Sequence, residues 1–106
     1  MKREYSYVAR SPIHGRGLFA KRKIRKGTLI GTYEGPRVRK DGMHVLWVED
    51  ERGKWFGIDG KNQLRYLNHS RNPNAEFIGE ELIALRTIAP DEEITFHYGD
   101  EWAEVD

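Results

Sequence analysis

Three short segments of the chain gather side chains able to do chemistry. Residues 65–77, RYLNHSRNPNAEF, set Asn68, His69, Ser70, Asn72 and Asn74 beside apolar neighbours. An amide side chain both donates and accepts, so this run suits either a turn network or the recognition of a polar ligand. A buried polar group left unpaired costs about 1–3 kcal/mol, so a run of this kind beside a core must have its hydrogen bonds supplied. Residues 92–100, EEITFHYGD, join three carboxylates, Glu92, Glu93 and Asp100, to Tyr98. Nearer the N-terminus, HGRGLFA places Gly15 and Gly17 on either side of Arg16, where missing Cβ atoms let a ligand approach the backbone. The third glycine and the long following helix of a dinucleotide fingerprint are absent, which excludes a phosphate loop of that kind. By composition alone, the asparagine run reads as an Asx turn before Pro73 and the Gly-x-Gly as a plain turn.

The remaining titratable residues narrow the classes. His14, His44, His69 and His97 form no i, i+4 pair and no ligand-like cluster with carboxylates, and the chain has no cysteine, so no metal is expected and disulfides are excluded. Net charge is +1, but residues 1–40 hold 12 Lys/Arg against Glu4 and Glu34, while residues 41–106 hold 6 against 15 acids. The two halves attract one another and read first as solvated faces that neutralise each other in space; the sharper reading has the seven acids from Asp91 to Asp106 form a rim that steers a basic peptide. In KRKIRK, residues 21–26, Ile24 breaks the basic run and no stacking aromatics follow, so direct nucleic-acid binding is not expected. No apolar run approaches a membrane span and MKREYSYVAR does not read as a signal peptide, so a soluble cytoplasmic protein is the expectation. A nuclear or host compartment follows instead if the source is a eukaryote, a virus or an intracellular bacterium.

The 106 residues predict a single domain, 1–106, that is mainly β. Short hydrophobic runs are punctuated by turn residues every 8 to 12 positions. Strands are predicted at 5–9, 17–20, 28–33, 81–88 and 94–98, with Pro90 opening the turn before the last. HVLWVED and KWFGI flank ERG and predict a hairpin with Gly53 in its turn and Trp47 and Trp55 on neighbouring strands. KNQLRYL is the one plausible helical turn and is too short to stand alone.

Taken together, Asn-His-Ser…Pro-Asn followed by Glu-x-x-x-x-Tyr-Gly, with Gly-x-Gly and GTYEG before them, resembles the SET-domain protein lysine methyltransferases. The resemblance runs from about Ser11 to Trp102 and is strongest to the minimal viral and bacterial members, which have no flanking cysteine-rich segments. It implies a β-clip fold of several small curled sheets, with a pseudoknot-like crossing that threads the Asn-His-Ser segment against the segment ending in the tyrosine. It implies S-adenosylmethionine as cofactor, S-adenosylhomocysteine as product, and transfer of methyl to the ε-amine of a lysine in a basic, histone-like or ribosomal protein.

Residue by residue, the resemblance assigns the backbone around Gly15, Arg16 and Gly17 to the methionine part of the cofactor and adds His14 to the cofactor-binding set. Tyr66, Asn68, His69, Tyr98 and Trp102 complete its pocket, with Trp102 covering the adenine. Tyr98 and Tyr33 are the implied catalytic tyrosines, and with Phe96 they line the lysine channel. Phe96 stands where some members hold Phe or Tyr, and Phe there leaves room for a second or third methyl. The chain departs from the family pattern at Arg71, where many members have cysteine, and at His97, where an acid is frequent; zinc is not implied. The segment between Gly35 and Leu64 is short, and in the family this insert chooses the peptide. With little chain after Trp102, a second subunit completing the pocket as a homodimer is implied. The alternative is a non-catalytic β-clip module that binds a peptide or the cofactor without turnover; Tyr33 and Tyr98 favour the enzyme.

Overall fold

Short runs of β-branched and aromatic residues between glycine, proline and charged turns give short strands and little else. The computed structural model describes residues 4–97. In chain order the strands are β1 (Ser6–Arg10), β2 (Arg16–Ala20), β3 (Leu29–Thr32), β4 (Arg37–Val38) and β5 (Val45–Glu49). They continue as β6 (Trp55–Asp59), β7 (Asn68–His69), β8 (Ala75–Ile78), β9 (Glu81–Ala84) and β10 (Glu93–Phe96), and a single 3-10 turn, Gln63–Tyr66, precedes β7. Three small sheets result, ordered β1-β2-β10-β7, β3-β9-β8 and β4-β6-β5. The core between them includes Leu18, Ile24, Leu82, Ile88 and Ile94, all with no exposed surface.

The expected strands near residues 5–9, 17–20 and 28–33 are present, as is the hairpin of β5 and β6, which has Gly53 at φ +81° in its turn. Two expected strands are shorter than anticipated. The one from 81 stops at Ala84, after which Ile88 makes a separate bridge to Ile24, and β10 begins one residue early at Glu93. Three strands were not anticipated: β4, β7 and β8. β4 and β7 are two-residue strands defined by partners distant in sequence, whereas β8 pairs with β9 across a Gly79–Glu80 turn with Gly79 at φ +61°, a hairpin signal that the sequence did carry.

The topology matters most at β10. This late strand lies between β2, to which it is antiparallel, and β7, to which it runs parallel with Thr95 opposite Asn68 and Phe96 opposite His69. Asn74, only 2% exposed, stitches the loop before β8 onto β10. Its Nδ2 donates to the Glu93 carbonyl at 2.8 Å and its Oδ1 accepts from the Thr95 N–H at 2.9 Å. The amide thus replaces a missing strand neighbour, which is why a polar side chain is found in the core.

Candidate active site

The Gly-x-Gly turn, the Asn-His strand and β10 converge because β10 pairs with both of the others. Asn68, at the start of β7, directs its Nδ2 to the His14 and Arg16 carbonyls, both at 3.2 Å, and to Glu93 Oε2 at 2.9 Å. Ser11 donates its hydroxyl to the same Glu93 carboxylate at 2.8 Å and accepts the Ile13 N–H at 3.0 Å. One carboxylate therefore ties together the loop before β2, the β7 strand and its own β10.

The two glycines serve different ends. Gly15 adopts φ +43°, a left-handed conformation that side chains rarely enter, and the space where its Cβ would stand is open. Gly17 has an ordinary φ, but a Cβ there would lie 2.3 Å from Glu93 Oε2, 3.0 Å from Ser11 Cβ and 3.1 Å from Asn68 Nδ2. At Gly17 the missing Cβ makes room for the Glu93 network, so this glycine is required inside the protein whether or not its backbone meets a ligand.

This corner fits the amino-acid end of S-adenosylmethionine. With Nδ2 held by three acceptors, the Asn68 carbonyl oxygen points away from them, and among the described residues no donor reaches it. That leaves an acceptor suited to an ammonium group. Arg10 and Arg16 line an open depression of about 590 Å³ beside Gly15, and guanidinium groups suit a carboxylate. His14 contributes its backbone carbonyl to this corner.

On the other side of β10 lies a groove of about 990 Å³. Its inner wall is an aromatic stack in which Tyr33 meets Phe77 edge-on at 5.7 Å and Phe77 meets Phe96 edge-on at 5.4 Å. Tyr33 is 7% exposed and its hydroxyl donates to the His44 carbonyl, which braces the ring against the start of β5. Trp47 and Trp55 line the outer groove together with the carboxylates of Asp41, Glu49 and Glu76, and the Trp47 indole donates to Asp41 at 3.2 Å. Arg65 also lines it, with its guanidinium donating to the Lys61 and Asn62 carbonyls and to the Tyr66 hydroxyl. Tyr66 thus sits against Arg65, at 4.4 Å from ring centre to guanidinium, and edge-on to His44. His69 and His97 bring their rings to 4.7 Å at the ends of β7 and β10.

Side chains alternate along a strand, so Glu93 and Phe96 project from opposite faces of β10. Glu93 supports the Gly-x-Gly corner and Phe96 walls the groove, so one strand separates and aligns two compartments. A family model for the SET domain matches residues 15–99 of this chain. The chain belongs to the SET-domain family.

Among curated proteins, human histone-lysine N-methyltransferase 2B is 34% identical over 120 residues, covering 86% of this chain. The curated relatives are far longer, and the chain spans only 2–9% of the length of those compared. Two solved structures share the fold. One, of Plasmodium falciparum and described as a candidate histone methyltransferase, superposes with a TM-score of 0.74 at 19% identity, covering 95% of this chain and 98% of its own. The other, the methyltransferase domain of human PR domain-containing protein 2, gives 0.71 at 24% identity, covering 97% and 83%.

Of the residues singled out in the sequence, this SET domain brings His14, Gly15, Arg16, Gly17 and Asn68 into one corner and Tyr33 and Phe96 into one groove. Tyr98 and Trp102 lie outside the described residues. Ser11, Phe77 and Glu93 were missed as contributors. Glu93 is the first residue of the Glu-x-x-x-x-Tyr-Gly motif, but its partner Ser11 is 82 residues away, a pairing that local pattern does not signal. Among the described residues no group of three or more His, Asp or Glu assembles as a metal site.

Proposed function

We propose that this SET domain is an S-adenosylmethionine-dependent protein-lysine N-methyltransferase acting on a basic protein. The carrying observation is the division of labour on β10, with a corner suited to an amino-acid zwitterion on one face and an aromatic groove on the other. When bound, the cofactor supplies an electrophilic methyl on a sulfonium, and the nucleophile is the neutral lysine amine.

The residues of this chain contribute position and desolvation. Asn68 and the Gly15–Gly17 turn hold the amino-acid end, and Glu93 keeps Asn68 in the orientation that presents its oxygen. Tyr33, Phe77 and Phe96 supply the apolar wall against which a lysine side chain would lie. Free lysine has a pKa near 10.4, and an apolar channel disfavours the ammonium, so the walls favour the reactive form. Alignment of an in-line displacement requires no covalent bond to the enzyme. Tyr98, the residue after His97, is assigned orientation of the amine through its hydroxyl. The groove carboxylates Asp41, Glu49 and Glu76 support a basic peptide as substrate, in line with the names of the histone-lysine methyltransferase relatives.

Calorimetry with S-adenosylhomocysteine tests the cofactor half of this reading. The wild-type chain should bind it, and Asn68→Ala should weaken binding about tenfold or more, the loss expected for an interaction to a charged group. Equal affinity in the two proteins, each shown folded by circular dichroism, would remove Asn68 from the cofactor site. Cofactor binding without any transfer would favour the non-catalytic module.

A further inference from the structure

Ile24 breaks the basic run KRKIRK in sequence, but not on the surface. Its side chain is fully buried, and its backbone exchanges hydrogen bonds of 2.9 and 2.8 Å with Ile88. Lys21, Arg22, Lys23, Arg25 and Lys26 are all exposed around it. The apolar residue is therefore the pin that holds a basic loop in place. Further backbone bonds fix the loop at both ends, from Lys21 N–H to the Tyr5 carbonyl at 2.7 Å and from Gly27 N–H to the Ala84 carbonyl at 2.8 Å.

The neighbouring acids do not neutralise this surface. Glu4 pairs with Lys21 at 3.2 Å, Glu92 pairs with Arg86 at 2.6 Å, and Asp91 accepts the Tyr7 hydroxyl at 2.7 Å. Arg22 lies 6.0 Å from the Tyr5 ring centre, and among the described residues no carboxylate pairs with Arg22, Lys23, Arg25 or Lys26. Six residues of extended chain reach at most about 20 Å, and duplex DNA carries a phosphate charge every ~1.7 Å of its axis, so all four cations have phosphates within reach.

We infer that the loop 21–26 is a sequence-independent binding surface for the phosphate backbone of a nucleic-acid duplex. The side chains are flexible cations with no aromatic platform among them, which is the chemistry of phosphate contact and not of base reading. The acidic groove and the basic loop then have complementary tasks. The first receives a basic protein segment, and the second engages the nucleic acid on which such a protein is held. The binding claim itself is independent of the methyltransferase reading.

The test is fluorescence anisotropy of the full chain with a labelled 20-base-pair DNA duplex across a salt series. Binding in the micromolar range at low salt is expected, with a log–log salt slope of about −3 to −4 for four phosphate contacts. Lys23→Glu, Arg25→Glu and Lys26→Glu together should abolish binding, and the milder set of three glutamines should reduce the slope by about three. Arg39→Glu, Arg52→Glu and Lys54→Glu, which make the same charge change around the β4-β6-β5 sheet, should leave most of the binding intact. No binding at low salt would overturn the inference. So would equal loss in the two glutamate triples, which would mean net charge alone is responsible, or binding to anionic vesicles with none to the duplex.

Discussion

Gly17 is small for a reason internal to the protein. The Glu93 carboxylate occupies the space a Cβ would need, and that same carboxylate fixes Ser11 and Asn68. Gly17→Ala must push Glu93 off one partner or the other, and Glu93→Ala leaves both partners without their acceptor. Each change should weaken S-adenosylhomocysteine binding by about tenfold, and the double variant should be no worse than the weaker single one, because both act through one displacement. Additive losses in calorimetry would show that the two residues act separately. Tyr33 makes a second residue-scale case, since its hydroxyl is engaged by the His44 carbonyl. Tyr33→Phe should lower unfolding stability by about 1 kcal/mol in urea titration, with the groove retained. A loss of several kcal/mol would mean that the brace holds far more than the start of β5.

At the scale of elements, β10 depends on side chains standing in for strand partners. Asn74→Ala removes the acceptor of the Thr95 N–H and the donor to the Glu93 carbonyl in a buried setting, and should cost roughly 2–4 kcal/mol of stability by urea unfolding. A loss under 0.5 kcal/mol would show that water or a shift of the loop replaces the amide. Glu92, in the turn before β10, has its carboxyl pK lowered from the ordinary 4.5, chiefly by the Arg86 hydrogen bond and also by the Ala89 N–H and Asn74 amide, against a burial effect that raises it. A depressed carboxylate adds stability above its unfolded value and loses it as pH falls through the folded one. The wild type should therefore exceed Glu92→Gln in stability at neutral pH, with the gap closing as pH drops below about 4.5; a gap constant down to pH 2 would rule out the linkage. The sequence announced the elements that carry their own signals, such as the β5–β6 hairpin around Gly53 and the turn at Pro90. It left β8 unread although Gly79, at φ +61°, marks the turn after it, and β4 and β7 because two-residue strands exist only through their partners. The role of Glu93 was unreadable for the same reason, although its motif was visible, whereas Asn68 and the Gly15–Gly17 turn were legible because their order along the chain matched a known family.

At the scale of the whole molecule, a linear charge asymmetry becomes a division of surfaces. The basic first part of the chain supplies the exposed loop 21–26, and later acids line the groove. Between them the central β10 strand separates the Asn68–Glu93 corner from the aromatic groove. Among the described residues no helix is long and apolar enough to cross a membrane. The measurement that tests the central claim most directly is transfer itself. Purified protein is incubated with isotopically labelled S-adenosylmethionine and a basic protein extract, and lysine-containing peptides are read by mass spectrometry. Labelled methyl on lysine, reduced about tenfold or more by Tyr98→Phe while S-adenosylhomocysteine affinity is retained, is the predicted result. Label that appears equally with Tyr98→Phe, or no label on lysine although the cofactor binds, would contradict the account.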